Sequence, residues 1–182
     1  MKKFSILFTI ALFGCISYAN AQVYKYSSGS VSFFSKTSME DIDAHNPTPN
    51  VLINLANNTI AVITQNMDFK FQNKLMEEHY NEKYVESEKY PMAVFTGKII
   101  ENIDLNKDGV YTVNVAGKMK LHGVEKERTI TGTITVKNGQ IQLFSKFAMK
   151  CSDHNITIPS LIGAKVSDTV DATVDVILVA KK

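Results

Sequence analysis

Along the second half of the chain, apolar side chains fall on every second residue. From Tyr111 to Leu121 they occupy Tyr111, Val113, Val115, Met119 and Leu121, with Thr112, Asn114, Lys118 and Lys120 between them. A period of two puts one set on a dry face and the other on a wet face, the pattern of a long antiparallel strand. It recurs at Ile130, Gly132, Ile134 and Val136, at Ile141, Leu143, Phe147 and Met149, and at Val170, Ala172, Val174, Val176 and Leu178. Four strands therefore occupy the C-terminal half. Upstream, Val23 to Tyr26, Ser30 to Lys36, Val51 to Ala56, Ile60 to Asn66 and Ala93 to Ile99 read as strands bounded by Ser28-Gly29, Asn57-Asn58, Asp108-Gly109 and Asn138-Gly139. The two Asx-Gly pairs predict tight hairpins, because a type I′ turn needs positive φ at both central positions. Nine or so strands joined mainly by hairpins predict an all-β barrel or sandwich.

One segment has helical spacing. Leu75, Met76, His79, Tyr80 and Tyr84 recur at helical intervals, Asn73 is placed to cap the N-terminus, and Glu77 and Glu78 lie toward the positive end of the dipole. The spacing predicts one short amphipathic helix lying on the sheet. Pro91, which lacks an N–H, ends the excursion and suits the start of a strand.

The first residues carry a different pattern. Lys2 and Lys3 precede an almost unbroken apolar run from Phe4 to Ile16, and Ala19-Asn20-Ala21 fits a small-x-small cleavage site. This predicts a signal peptide over residues 1–21, a mature domain over 22–182, and a periplasmic or secreted protein. Leu12-Phe13-Gly14-Cys15 supplies a lipoprotein alternative through Cys15. The apolar run is shorter than the ~20 residues a membrane-crossing helix needs, and charged or amide residues interrupt every later apolar stretch. No integral membrane segment is expected.

Removal of residues 1–21 takes away two lysines and no acids, so 20 basic residues become 18 against 18 acidic. A neutral chain without a basic cluster lacks the charge that drives binding to nucleic acid. Only Cys151 of the 2 cysteines survives cleavage, so stability must come from a packed core. An inert, half-buried thiol is the reading for Cys151, which has no cationic activator in the local sequence.

The candidate chemistry is thin. His45, His79, His122 and His154 show no metal-ligand spacing, and no metal or cofactor is expected. His122-Gly123 closes a strand and reads as a turn. Asp104, Asn106, Asp108 and Gly109 mimic the first half of a calcium loop, but Val115 stands where a bidentate glutamate belongs. No nucleophile elbow or phosphate loop is present. What remains is the apolar face, which a small barrel either fills with its own side chains or leaves hollow for one apolar ligand. Both outcomes are open at this stage.

Two stretches resemble the YceI-like lipid- or polyisoprenoid-binding family. One is His79-Tyr80-Asn81 followed by Lys89-Tyr90-Pro91-Met92-Ala93-Val94-Phe95-Thr96-Gly97; the other is Gly117 to Leu121 closing in His122-Gly123-Val124 with Lys126 beyond. An early His-Ser-x-Val-x-Phe run of that family is replaced here by Gly29-Ser30-Val31-Ser32-Phe33. The resemblance, over residues 23–180, implies a lipocalin-like antiparallel β-barrel that is exported, non-catalytic, and encloses an isoprenoid or fatty-acyl lipid. Alternation then places Phe33, Phe95, Ile99, Tyr111, Val113, Val115, Met119, Leu121, Leu143 and Phe147 on the inner, lipid-binding face. A filled barrel working through its surface, as an envelope-stress or protein-interaction module, is the competing reading. The sequence leaves a homodimer open.

Overall fold

The computed structural model describes residues 23–36, 41–158 and 167–181. The signal peptide expected at 1–21, its expected cleavage site and Cys15 lie outside the described residues. Ten strands form one antiparallel sheet: β1 (Val23–Ser35), β2 (Ile42–Asn46), β3 (Asn50–Asn54), β4 (Thr59–Gln65), β5 (Lys70–Phe71), β6 (Met92–Ile99), β7 (Gly109–Leu121), β8 (Val124–Lys137), β9 (Gln140–Lys150) and β10 (Thr169–Ala180). Eight of them close a barrel in the order β10-β9-β8-β7-β6-β4-β3-β1, sealed by the β1–β10 ladder. β2 pairs with the C-terminal half of β1, and β5 extends β2, so these two short strands add a flap at one end of the barrel.

β1 is one strand where the sequence reads as two. The register shifts between Tyr26 and Ser28, and Gly29 at φ 109 follows. Before this bulge the even positions Tyr24 and Tyr26 face the core; after it the odd positions Val31, Phe33 and Ser35 do. An extra residue in one strand reverses the parity of everything beyond it, which breaks a period-two pattern without breaking the ladder. Ser28-Gly29 is thus a bulge rather than a turn. β2 and β5 are additional strands, too short for alternation to reveal.

The hairpins differ from expectation at one place. Asn138 (φ 51) and Gly139 (φ 74) form the expected tight β8–β9 turn, and His122 (φ 49) with Gly123 (φ 75) makes an equivalent one between β7 and β8. Asp108-Gly109 does not form a hairpin: Gly109 opens β7 in extended conformation after a longer loop, and the Asp108 carboxylate accepts from the Asn138 backbone N–H. Within β6 and β7, Gly97 and Gly117 stand opposite one another. A Cβ on Gly117 would collide with the Thr96 carbonyl, so only glycine permits this close approach.

The helical segment splits into α1 (Lys74–His79) and a π turn over Tyr80–Tyr84. Asn73 caps α1 as its position suggests, its Oδ1 accepting from the Leu75 N–H at 2.8 Å. Rather than lying flat on the sheet, the segment sits across the end of the barrel beside β5. Among the described residues no helix is long and apolar enough to cross a membrane.

Candidate functional site

The barrel interior is packed at one end and hollow at the other. At the closed end Ile53, Ile134, Ile141, Val176 and Leu178 are fully buried and fill the space between the strands. Toward the helical segment, Phe95, Met119, Ile130 and Val174 keep 8–9% of their surface accessible. That residue of exposure on side chains pointing inward is the signature of an internal void. The void is a cavity of about 530 Å³. It reaches the surface beside Asn73 and Leu75, both exposed at the barrel end.

The cavity wall is built by alternation along the strands. Val113, Val115, Met119 and Leu121 come from β7, Leu143 and Phe147 from β9, Ala172 and Val174 from β10, and Phe95 from β6. Phe33 from β1 completes the ring. Of the inner-face residues expected from the sequence, these structural positions place Phe33, Phe95, Val113, Val115, Met119, Leu121, Leu143 and Phe147 on the wall. Ile99 and Tyr111 are not on it. Ile99 is buried in the packed end, and Tyr111 stands there with its hydroxyl donating to the Lys107 carbonyl at 3.0 Å. Alternation assigns both to the correct face, but the depth of the void along the barrel axis is not a property of face.

The mouth is lined by residues that no strand periodicity points to. Met76, His79, Tyr80, Tyr84 and Val85 come from the helical segment, Phe69 and Phe71 from the short stretch around β5, and Cys151, Ile156 and Ile158 from the connection after β9. The apolar stripe of the helix made its share legible in sequence; Phe69 and Phe71 are two positions apart but too few to read as a strand. Tyr80 is the hub. Its ring stacks on Phe33 at 5.6 Å and meets Phe69 and Phe71 at 5.7 and 5.1 Å between centroids. Such tilted and offset aromatic contacts hold a rigid apolar collar.

Several polar links pin the segment between the helix and β6. His122 contacts the Glu86 carboxylate through Nε2 at 2.7 Å and the His154 carbonyl through Nδ1 at 3.1 Å. The two contacts hold the imidazole between the loop after the helical segment and the turn after β9. Tyr90 packs edge-on against the same ring at 4.5 Å. Asn66 Nδ2 donates to the Tyr90 carbonyl at 2.6 Å, and Ser87 Oγ donates to Asn81 Oδ1 at 2.6 Å.

Burial disfavours the charged forms of two groups near the site, His154 and Cys151. His154 is fully buried, donates from Nδ1 to the Val124 carbonyl at 3.2 Å, and has Nε2 unpartnered among the described residues. Burial pulls its imidazole below the ordinary 6.5. Burial, with a smaller contribution from the nearby Asp168 charge, pushes the Cys151 thiol up to about 11, which leaves it un-ionised and unreactive. Of the four histidines only His122 meets a carboxylate among the described residues, and neither His122 nor Glu86 lines the cavity. What the cavity can do is shelter a nonpolar molecule.

Residues 5–178 match the family model described as YceI-like domain. The fold is also that of several solved structures. A polyisoprenoid binding domain from Saccharophagus degradans, implicated in plant cell wall breakdown, superposes with a TM-score of 0.74 at 15% identity, over 87% of this chain and 98% of that one. BcnA of Burkholderia cenocepacia gives 0.68 at 17% identity, over 81% and 94%. The YCEI protein of Campylobacter jejuni gives 0.57 at 16% identity, over 100% and 99%. No curated protein sequence matches the chain.

Proposed function

Because this chain belongs to the YceI-like domain family, we propose that it is an exported, non-catalytic carrier that holds one apolar chain lipid, isoprenoid or fatty-acyl, in the hollow half of its barrel. The single observation that carries this reading is the 530 Å³ void with an apolar wall and a mouth at the helical segment. At about 30 Å³ for each water-sized group, it takes on the order of eighteen carbons. Each methylene moved from water into it contributes about 0.8 kcal/mol, so a dozen suffice for tight binding without any charged contact. Export rests on the amino-terminal pattern, Lys2-Lys3, the apolar run to Ile16 and Ala19-Asn20-Ala21, and the lipoprotein route through Cys15 is its variant. The solved neighbour described as a polyisoprenoid binding domain supports the ligand class.

The test is native mass spectrometry of residues 22–182 purified from the source cells, followed by mass analysis of whatever denaturation releases. A stoichiometric apolar chain compound is the expected result. A polypeptide that is bare, and stays bare after incubation with quinones and long-chain lipids, would overturn the carrier reading and leave a barrel that acts through its surface.

A further inference from the structure

The ladder between β8 and β9 stops part-way along the two strands. It runs from Lys137 and Gln140 at the hairpin to Thr133 and Phe144, although β8 reaches back to Val124 and β9 continues to Lys150. Neither strand is frayed there. β8 stays paired with β7 through to Val124, and β9 stays paired with β10 through to Lys150. Each strand is thus held from its far side and left without a ladder where the two face one another.

Side chains take the place of the missing ladder. Just past its last pair, Ser145 Oγ donates to the Thr131 carbonyl at 2.7 Å. Further toward the mouth, the Arg128 guanidinium donates to the Ala148 carbonyl at 2.7 Å and lies 5.5 Å from the centre of the Phe147 ring. A serine spans the inner end and an arginine spans the outer one, so the gap widens from the ladder to the rim. At the inner end a Cβ on Gly132 would meet the Phe144 carbonyl at 2.9 Å, so the strands are still in close contact where they begin to part.

The banks of this seam are the cavity wall. Ile130 and Gly132 on β8, and Ser145, Phe147 and Met149 on β9, all line the void. Parting two strands elsewhere in the barrel breaks a row of backbone bonds, whereas parting them here breaks two side-chain bonds. The collar end offers no such ease, because Tyr80 is wedged among Phe33, Phe69 and Phe71.

We propose that the β8–β9 seam is a lateral slit through which an apolar chain enters and leaves the cavity sideways, with Arg128 as its latch. The inference rests on the carrier reading above. A chain that moves in broadside need not be threaded end-on past the aromatic collar, and the latch closes over Phe147 behind it.

Exchange kinetics test the slit, with a fluorescent fatty chain delivered from cyclodextrin as the probe. Arg128→Met removes the donor and keeps an unbranched side chain beside Phe147. Uptake and release should each quicken by about tenfold, the worth of one hydrogen bond, with Kd unchanged within about twofold. Thr129→Cys combined with Ala148→Cys puts two exposed thiols on the facing strands, while Cys151 is buried and escapes reagent. Joining the two thiols with a short bis-maleimide should slow both rates by at least about tenfold relative to the same variant capped with N-ethylmaleimide. Unchanged rates in either variant would overturn the slit and leave the collar end as the route.

Hydrogen exchange without ligand keeps the two readings apart. The Thr131 and Lys146 amides should exchange faster than those of Thr133 and Phe144, and faster still in Arg128→Met. Equal protection on both sides of that last pair overturns the slit whatever the protein binds. A seam that exchanges fast in a wild type that takes up no fatty chain overturns the carrier reading instead, and with it the cargo of the slit.

Discussion

Ala172→Phe tests whether the upper barrel is truly hollow. Ala172 sits on β10, between Phe147 of β9 and Phe33 of β1 in the ladder, with its methyl on the cavity wall. The substitution adds about six carbons to a space that takes on the order of eighteen, so about a third of the chain is displaced. At about 0.8 kcal/mol per methylene the loss reaches at most about 5 kcal/mol, more than a thousandfold in affinity. A chain whose free end slides out through the mouth at Leu75 loses less, and tenfold is the lower bound expected. Stability should move the other way. In a close-packed core the added ring would cost about 1–3 kcal/mol through strain, whereas here it enters vacant apolar space and buries its own surface. Urea unfolding of ligand-free protein should therefore give a midpoint equal to or above wild type, while displacement of a fluorescent fatty chain shows the weakened binding. A variant that is less stable by about 1–3 kcal/mol and binds the chain as before would refute the reasoning, since it would mean that the void does not exist at this level of the barrel.

Other expectations follow from particular contacts. Gly117→Ala forces a methyl against the Thr96 carbonyl across the β6–β7 ladder and should destabilise by about 1–3 kcal/mol in urea titration; an unchanged midpoint would show that the two strands can separate there. His154 has an imidazole pulled below its ordinary 6.5, so the unfolded chain binds its proton first as pH falls. Stability should then be at its full value above pH 6.5 and decline as the pH drops below it, with His154→Gln flattening that part of the profile. His122→Asn keeps a residue that tolerates φ 49 but removes the link to Glu86, and hydrogen exchange should quicken across residues 80–90 before the barrel strands respond. Equal protection in the variant would mean that the segment is held by Val85 and the aromatic collar alone.

Much of the architecture was legible because β-strands write their orientation locally. Val113, Val115, Met119 and Leu121 alternate with polar residues over a strand without a bulge, and the same holds for β9 and β10, so face assignment there needed only the pleat. Asn138-Gly139 announced its turn because positive φ at both positions selects those residue types. The helical stripe from Leu75 to Tyr84 was equally visible, including its Asn73 cap. In β1 the same logic failed, because one extra residue near Ser28 inverts the alternation and looks like an interruption in sequence while the ladder to β10 continues.

What the chain alone determines is therefore which side chains turn inward; what only the tertiary structure decides is whether anything fills the space between them. Ile99 and Val115 are indistinguishable by pattern and stand directly opposite one another in the β6–β7 ladder, yet one is packed and the other faces the void. The difference arises from the closure of eight strands, from the close Gly97–Gly117 approach, and from a helical segment that spans the end of the barrel without entering it. Volume is a sum over distant elements, and so is the burial of Tyr80, whose collar is assembled from β1, β5 and the turn before β5. Local periodicity reports direction, whereas a cavity is the residue of long-range packing, and no short window of sequence contains it.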